Sequence, residues 1–201
     1  MLTIHADSTG HALAVEGARV VAAGDVRELA DAYPRARVRR WPGILTPGFV
    51  NLHGTELLEE TYHPDPREAE ELGTGPLTGD ALAALALDDV RWGGSARRGV
   101  QRMLAHGTVA VACEALRRPA VVDAVRRTGL DLVSRTGRPG GVPSLDPLAC
   151  GLPPRVPSPR EPGSAARFAV FDVSDASELA ERGASTCVAT VIGGRLLYRR
   201  R

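Results

Sequence analysis

Short apolar runs punctuated by glycine, proline and polar residues occupy both ends of the chain, and longer helical periodicities lie between them. Leu2 to Ala6, Ala12 to Val15 and Arg19 to Ala23 predict three brief strands, with turns at Gly10 and Glu16-Gly17. Asp25 predicts an N-cap for a helix through Val26-Arg27-Glu28-Leu29-Ala30. That helix stops before Pro34, because proline restricts the residue ahead of it. Arg37 to Trp41 alternates and predicts a half-exposed strand. Thr61 to Thr78 is polar, acidic and rich in Pro and Gly, a loop or a short acidic helix. Gly79 to Arg91 is Ala/Leu-rich and predicts a helix with Asp80 as N-cap. Ser95 is the expected cap of a second helix, Ala96 to His106, ended by Gly107. Thr108 to Cys113 predicts a strand, Pro119 to Gly129 a helix, and Leu130 to Val133 a strand. Near the C-terminus, Arg167 to Val173 reads as a strand. Thr186 to Ile192 and Arg195 to Tyr198 flank Gly193-Gly194, the signature of a two-residue hairpin.

The organising stretch is Gly43 to Glu60, GILTPGFVNLHGTELLEE. Its apolar run, bounded by Gly and Pro, predicts a buried strand ending in Asn51-Leu52-His53. A histidine at the carboxyl end of a buried strand is where α/β folds place their chemistry. With the strands at Thr108 and Leu130, this gives three β/α units and predicts a parallel sheet with right-handed crossovers. Arg135 to Gly163 then carries eight of the 15 prolines and five glycines, and predicts an extended linker.

Composition narrows the function classes. At 201 residues and 43% hydrophobic, the chain can bury a sizeable core as one domain or two small ones. The 25 basic and 24 acidic residues nearly cancel, so neither a nucleic-acid nor an anionic-membrane partner is predicted. Every basic residue is arginine, which removes Schiff-base chemistry, a lysine general base and a carbamylated lysine between two metals. Cys113, Cys150 and Cys187 are odd in number and widely spaced, as buried thiols of a reducing cytosol would be. No signal-peptide pattern opens the chain, and no apolar run approaches the roughly 18 residues of a membrane span. A cytoplasmic location is the expectation.

Pro47-Gly48-Phe49-Val50-Asn51-Leu52-His53 resembles the opening barrel strand of the amidohydrolase superfamily, metal-dependent hydrolases of non-peptide C–N bonds. The Asn51 form resembles the branch holding imidazolonepropionases and aminofutalosine deaminases. Gly17 to Gly24 (GARVVAAG), Gly107-Thr108-Val109, Ala166 to Val173 (ARFAVFDV) and Val191 to Arg199 (VIGGRLLYR) resemble further pieces of the same family. The resemblance implies an α/β fold in which residues 1–45 and 164–201 build a small composite β-sandwich. Residues 46–134 would be a truncated barrel fragment of about three parallel β/α units, with 135–163 as linker; a whole barrel takes about 250 residues.

The resemblance also implies a metal, zinc among the candidates, held by two histidines after the first strand and two from later strands. An aspartate would serve as base. A hydrolytic metal needs three or four converging ligands and an open position. Here the second first-strand position is Thr55, and the five histidines are His5, His11, His53, His63 and His106. The expectation is therefore one ligand, His53, and no tightly held ion. A substitute site would add Glu60 and His63 as ligands and Glu56 as a catalytic group, since residues 53, 56 and 60 share a face if helical. The plain alternative is a solvated acidic helix start with His63 in a loop. Cys113 is a further catalytic candidate, set against a buried inert thiol. His106 is expected to meet the end of its helix, His5 and His11 to be structural or exposed, Arg117-Arg118 to be a solvated face, and Arg199 to Arg201 a loose tail. Trp41 and Trp92 are expected as core or interface anchors.

Two functional expectations follow. One is a truncated amidohydrolase-like protein acting as a non-catalytic or partner-completed subunit. Three parallel strands leave an edge uncovered, which predicts a homodimer or docking on a larger enzyme. The other is a reduced metal-dependent hydrolase or deaminase acting on a cyclic amidine or purine-like ring through His53, Glu56 and His63.

Overall fold

The computed structural model describes residues 1–151, 156 and 161–200, with the side chain of Cys150 excepted. Residues 152–155 and 157–160 of the expected linker, and Arg201 of the expected tail, lie outside the described residues. The fold is mixed α/β, as the pattern predicts, in three sheets.

Strands β1 (Leu2–Ala6), β2 (His11–Glu16) and β3 (Arg19–Asp25) form an antiparallel meander, followed by α1 (Val26–Ala32). The Asp25 carboxylate accepts from Arg27 N at 2.7 Å, capping that helix as expected. Strand β4 (Arg37–Arg40) pairs with β1 in parallel, so the first sheet runs β3-β2-β1-β4.

The stretch from Gly43 does not form a single strand. It divides at Gly48 into β5 (Ile44–Pro47) and β6 (Phe49–Asn51), which belong to different sheets. A Cβ on Gly48 would lie 2.3 Å from a Val109 methyl, so only glycine lets the chain pass this close as it changes sheets. Short helices α2 (Gly54–Leu58), α3 (Ala69–Leu72) and α4 (Gly79–Ala83) come next, then α5 (Asp89–Leu104). Asp88 caps α5, accepting from Arg91 N at 2.8 Å. Neither Asp80 nor Ser95 is the cap that the local pattern suggests. The buried face of α5 already includes Trp92, Gly93 and Gly94, so the helix must begin a turn and more before Ser95.

Strand β7 (Thr108–Cys113), α6 (Pro119–Thr128) and β8 (Asp131–Ser134) complete a parallel sheet in the order β6-β7-β8. Strand β9 (Arg167–Phe171), α7 (Ala176–Arg182), β10 (Cys187–Ile192) and β11 (Arg195–Arg199) follow. The third sheet is β11-β10-β9-β5. Gly193 and Gly194 both have positive φ (57° and 71°), as a tight turn between twisted strands needs. Helix α7 is not foreseen by the pattern; Asp175 caps it through Ser177 N and Glu178 N. Arg199 ends β11, and Arg200 N donates to Val188 O at 2.9 Å, so these two arginines are not a loose tail.

The two four-stranded sheets share one core, with Leu13, Val15 and Val20 meeting Phe168, Val170 and Val191 around Trp41. A second core lies between the parallel sheet and helices α5 and α6, built from Val100, Met103, Leu104, Val109, Val111 and Val125. Phe49 and Phe171 join the two, their rings 5.3 Å apart.

The described part of the expected linker folds back instead of extending. Asn51 Nδ2 donates to Ser144 O at 2.9 Å, Val156 N to Gly48 O at 3.0 Å, and Asp146 accepts from Leu148 N and Ala184 N. Leu145, Leu148 and Val156 pack against the cores, and these scattered apolar residues anchor what composition alone marks as a spacer. Among the described residues, no helix is long and apolar enough to cross a membrane.

Candidate functional site

At the carboxyl end of β6, Asn51 works as a clamp. Its Oδ1 accepts from His53 N at 2.9 Å while its amide nitrogen holds Ser144, so one side chain fixes both the turn and the returning segment. His53 is the residue just before α2, its side chain makes no capping bond to the helix, and it is 5% exposed. Burial holds its pKa below the ordinary histidine range; the Glu56 carboxylate works against that, and the Arg135 guanidinium adds to it.

Glu56, in α2, is buried and grips Arg135, whose Nη2 lies 2.6 and 2.8 Å from the two carboxylate oxygens. Arg135 follows β8 directly and also donates from Nε to Ala112 O at 3.3 Å and from Nη1 to Gly137 O. A delocalised guanidinium with several fixed bonds makes a durable counter-charge for a buried carboxylate. Pattern reading missed Arg135. The available signal was the need of a buried Glu56 for a cation at the mouth of the same sheet.

Two open clefts lie near this pair. One, of about 760 Å³, is lined by Val50, Asn51, Leu52 and His53 on one side and by the Pro139–Ser144 return on the other. The apolar patch of Val50, Ala110 and Ala112 belongs to this face of the sheet. The second, of about 590 Å³, is polar; Glu56, Glu59, Glu60 and Glu114 line it together with Arg117, Arg118, Arg135 and Arg138.

The other expected ligands disperse. His63 is fully buried and lines neither cleft: its Nε2 is 2.9 Å from Leu57 O and its Nδ1 3.3 Å from Arg102 Nη1. A carbonyl can only accept and a guanidinium only donate, so both bonds together require the neutral ring with its proton on Nε2. Burial lowers its pKa in agreement. Gly99 makes room, since a Cβ there would sit 2.7 Å from His63 Nε2. The expected grouping of His53, Glu56 and His63 is therefore not formed, because His63 is built into the packing between α2 and α5. Glu60 lies beyond the end of α2, at the surface, paired with Arg138 at 2.8 Å. Glu59 accepts from the Arg117 and Arg118 backbone N–H groups, both at 2.7 Å, and Arg118 stacks over Trp92 at 4.2 Å. The Arg117-Arg118 segment is thus tied down, where the pattern suggests a merely solvated face.

Cys113 ends β7 and is buried. Burial pushes its thiol up, Arg135 pulls it down, and Glu59 and Glu56 push it up again. A thiol raised in this way stays protonated and is a poor nucleophile. His106 Nδ1 lies 2.8 Å from Arg102 O, the helix-end contact expected of it. His5 is buried against Phe168 and accepts from Trp41 Nε1 at 3.2 Å; burial and then Arg39 bring its pKa to about 4.

Among the described residues, no three His, Cys, Asp or Glu side chains converge in a way that could hold a metal ion. Around His53 the Glu56 carboxylate is already held by a guanidinium, which leaves the imidazole short of the three or four ligands that zinc takes.

No family model matches the chain, and no curated protein matches it. Solved structures with partial likeness include an ochratoxinase from A. niger, with TM-score 0.45 and 19% identity over 66% of this chain and 31% of that one. An adenosine deaminase from Xanthomonas campestris with bound zinc gives TM-score 0.40 and 19% identity, over 62% of this chain and 28% of that one. Helicobacter pylori aminofutalosine deaminase gives TM-score 0.41 and 15% identity, over 67% of this chain and 33% of that one. The chain spans about a third of the length of these structures. Likeness at this level assigns neither a family nor an activity.

Proposed function

We propose that this chain is an amidohydrolase-like protein, of the kind resembling imidazolonepropionases and aminofutalosine deaminases, that works as a non-catalytic or partner-completed subunit. In this reading the two facing sheets are the composite β-sandwich and the parallel sheet is the opening of a barrel. The observation that carries it is the Arg135–Glu56 pair beside His53, in which one guanidinium nitrogen holds both oxygens of the carboxylate that acts on that imidazole. Metal analysis tests it. Purified without chelator, the chain is expected to hold well under one zinc, iron or manganese per molecule, with no uptake on adding metal. Stoichiometric metal that is lost in His53→Ala would sink the reading.

A second reading is favoured by one observation, His53 in the wall of a cleft of about 760 Å³, which has room for a ring-sized ligand. It keeps a hydrolase or deaminase acting on a cyclic amidine or purine-like ring, with His53 and Glu56 in the site and His63 no longer part of it. Turnover of such rings that falls at least about a hundredfold in His53→Asn would favour it. No turnover with a panel of them would remove it.

A further inference from the structure

We propose that β8 is a docking edge for a second copy of this chain, the two parallel sheets joining strand to strand, antiparallel, into one six-stranded sheet. A comparison of strand edges leads there. The outer side of β6 is covered by the return of the chain, with Val156 N bonded to Gly48 O and the Pro147–Cys150 turn packed beside it. Strand β4 presents Arg37, Arg39 and Arg40; β11 carries Arg195 and Arg199; β5 ends in Pro47. Strand β3 is bridged by Ala165 across from Arg19. Charges and prolines are what keep sheet edges from pairing with other chains.

Strand β8 has no proline and a single charge, Asp131. All four of its residues are exposed, and among the described strands it pairs with β7 alone. Asp131, half-exposed, pairs with Arg167 of this chain at 2.8 Å, and Arg135, next in sequence, is turned in to Glu56. Leu132 is 41% exposed and Val133 43%. Leu132 is in register with Val111 on the helix side of the sheet, and Val133 with Ala112 on the cleft side. A cover laid on one face would protect only one of them, whereas a strand added alongside buries both. The sequence of β8 suits its own copy. A two-fold axis at Leu132 sets Leu132 opposite Leu132 of the second copy and Asp131 opposite its Val133, so no like charges face each other.

The proposal goes beyond the functional reading above and rests on neither His53 nor Glu56, so a metal-free monomer would overturn it and leave that reading standing. Sedimentation velocity of the full chain, from low to high micromolar concentration, is expected to show a reversible dimer. Leu132→Lys and Val133→Lys should each weaken association at least about tenfold with circular dichroism unchanged, while Val38→Lys on β4 should leave it intact. Amide exchange on the unaltered protein is a check free of substitutions: β8 amides should gain protection as concentration rises. A monomer at every concentration would overturn the proposal. So would a dimer indifferent to both lysines, or one in which β8 exchange does not change.

Discussion

The two facing sheets and the parallel sheet solve the same problem in opposite ways. Each four-stranded sheet turns its apolar side to the other, and their outer strands carry arginines or end in proline. The buried imidazole of that half, His5, is sealed between Trp41 and Phe168. The parallel sheet covers one face with α5 and α6, leaves a cleft on the other, and ends in an exposed edge. One of its imidazoles, His53, stands at that cleft. The difference teaches where function should be sought: one half finishes its own burial, and the unfinished half holds the candidate site and the edge proposed for a partner.

The strongest way to break this contrast is to cut where the halves meet. Phe171→Ala removes a ring packed on Phe49 and is expected to cost about 4–5 kcal/mol, read by chemical denaturation, because a buried aromatic leaves a large cavity. Arg135→Met acts on the open half alone. It leaves Glu56 buried and uncompensated, for a loss of about 3–4 kcal/mol, most of which Arg135→Met/Glu56→Leu should restore. A double variant no more stable than the single would show that the pair does not act as a unit.

Acid probes the closed half. His5 titrates at about 4 in the fold against an ordinary 6.5, so between those values the unfolded chain binds more protons than the folded one. Stability is therefore full above about pH 6.5 and falls toward pH 4, by about 3 kcal/mol from this group, and His5→Gln should flatten that slope. The lowered pKa values of His63 and His53 act in the same direction. The smallest effect belongs to the rim. Glu60→Gln breaks an exposed pair with Arg138 and should change stability by no more than about 0.5 kcal/mol.

Much of the fold is legible in the chain because its signals are local. The cap at Asp25, the Pro119-to-Gly129 helix and the Gly193-Gly194 hairpin each depend on residues within a turn of one another. What failed depends on distant partners. Ser95 has the chemistry of a cap, yet its hydroxyl is used by His63 N, and Asp88 starts the helix. The split at Gly48 follows from a Val109 side chain some sixty positions away, which no local pattern contains. For the candidate site, the strand-end His53 was readable from its punctuation. The roles of His63 and Arg135 were not, since each is decided by which polar groups the fold brings within bonding distance.

The passage of one short thread, β5 into β6, through both cores also gives the protein a built-in pair of optical reporters. Of its two tryptophans, Trp41 sits in the core between the facing sheets and Trp92 in the core beneath the parallel sheet. Because the thread cannot slacken on one side of Gly48 without pulling on the other, emission from either indole alone, in Trp41→Phe or in Trp92→Phe, should follow one shared melting curve.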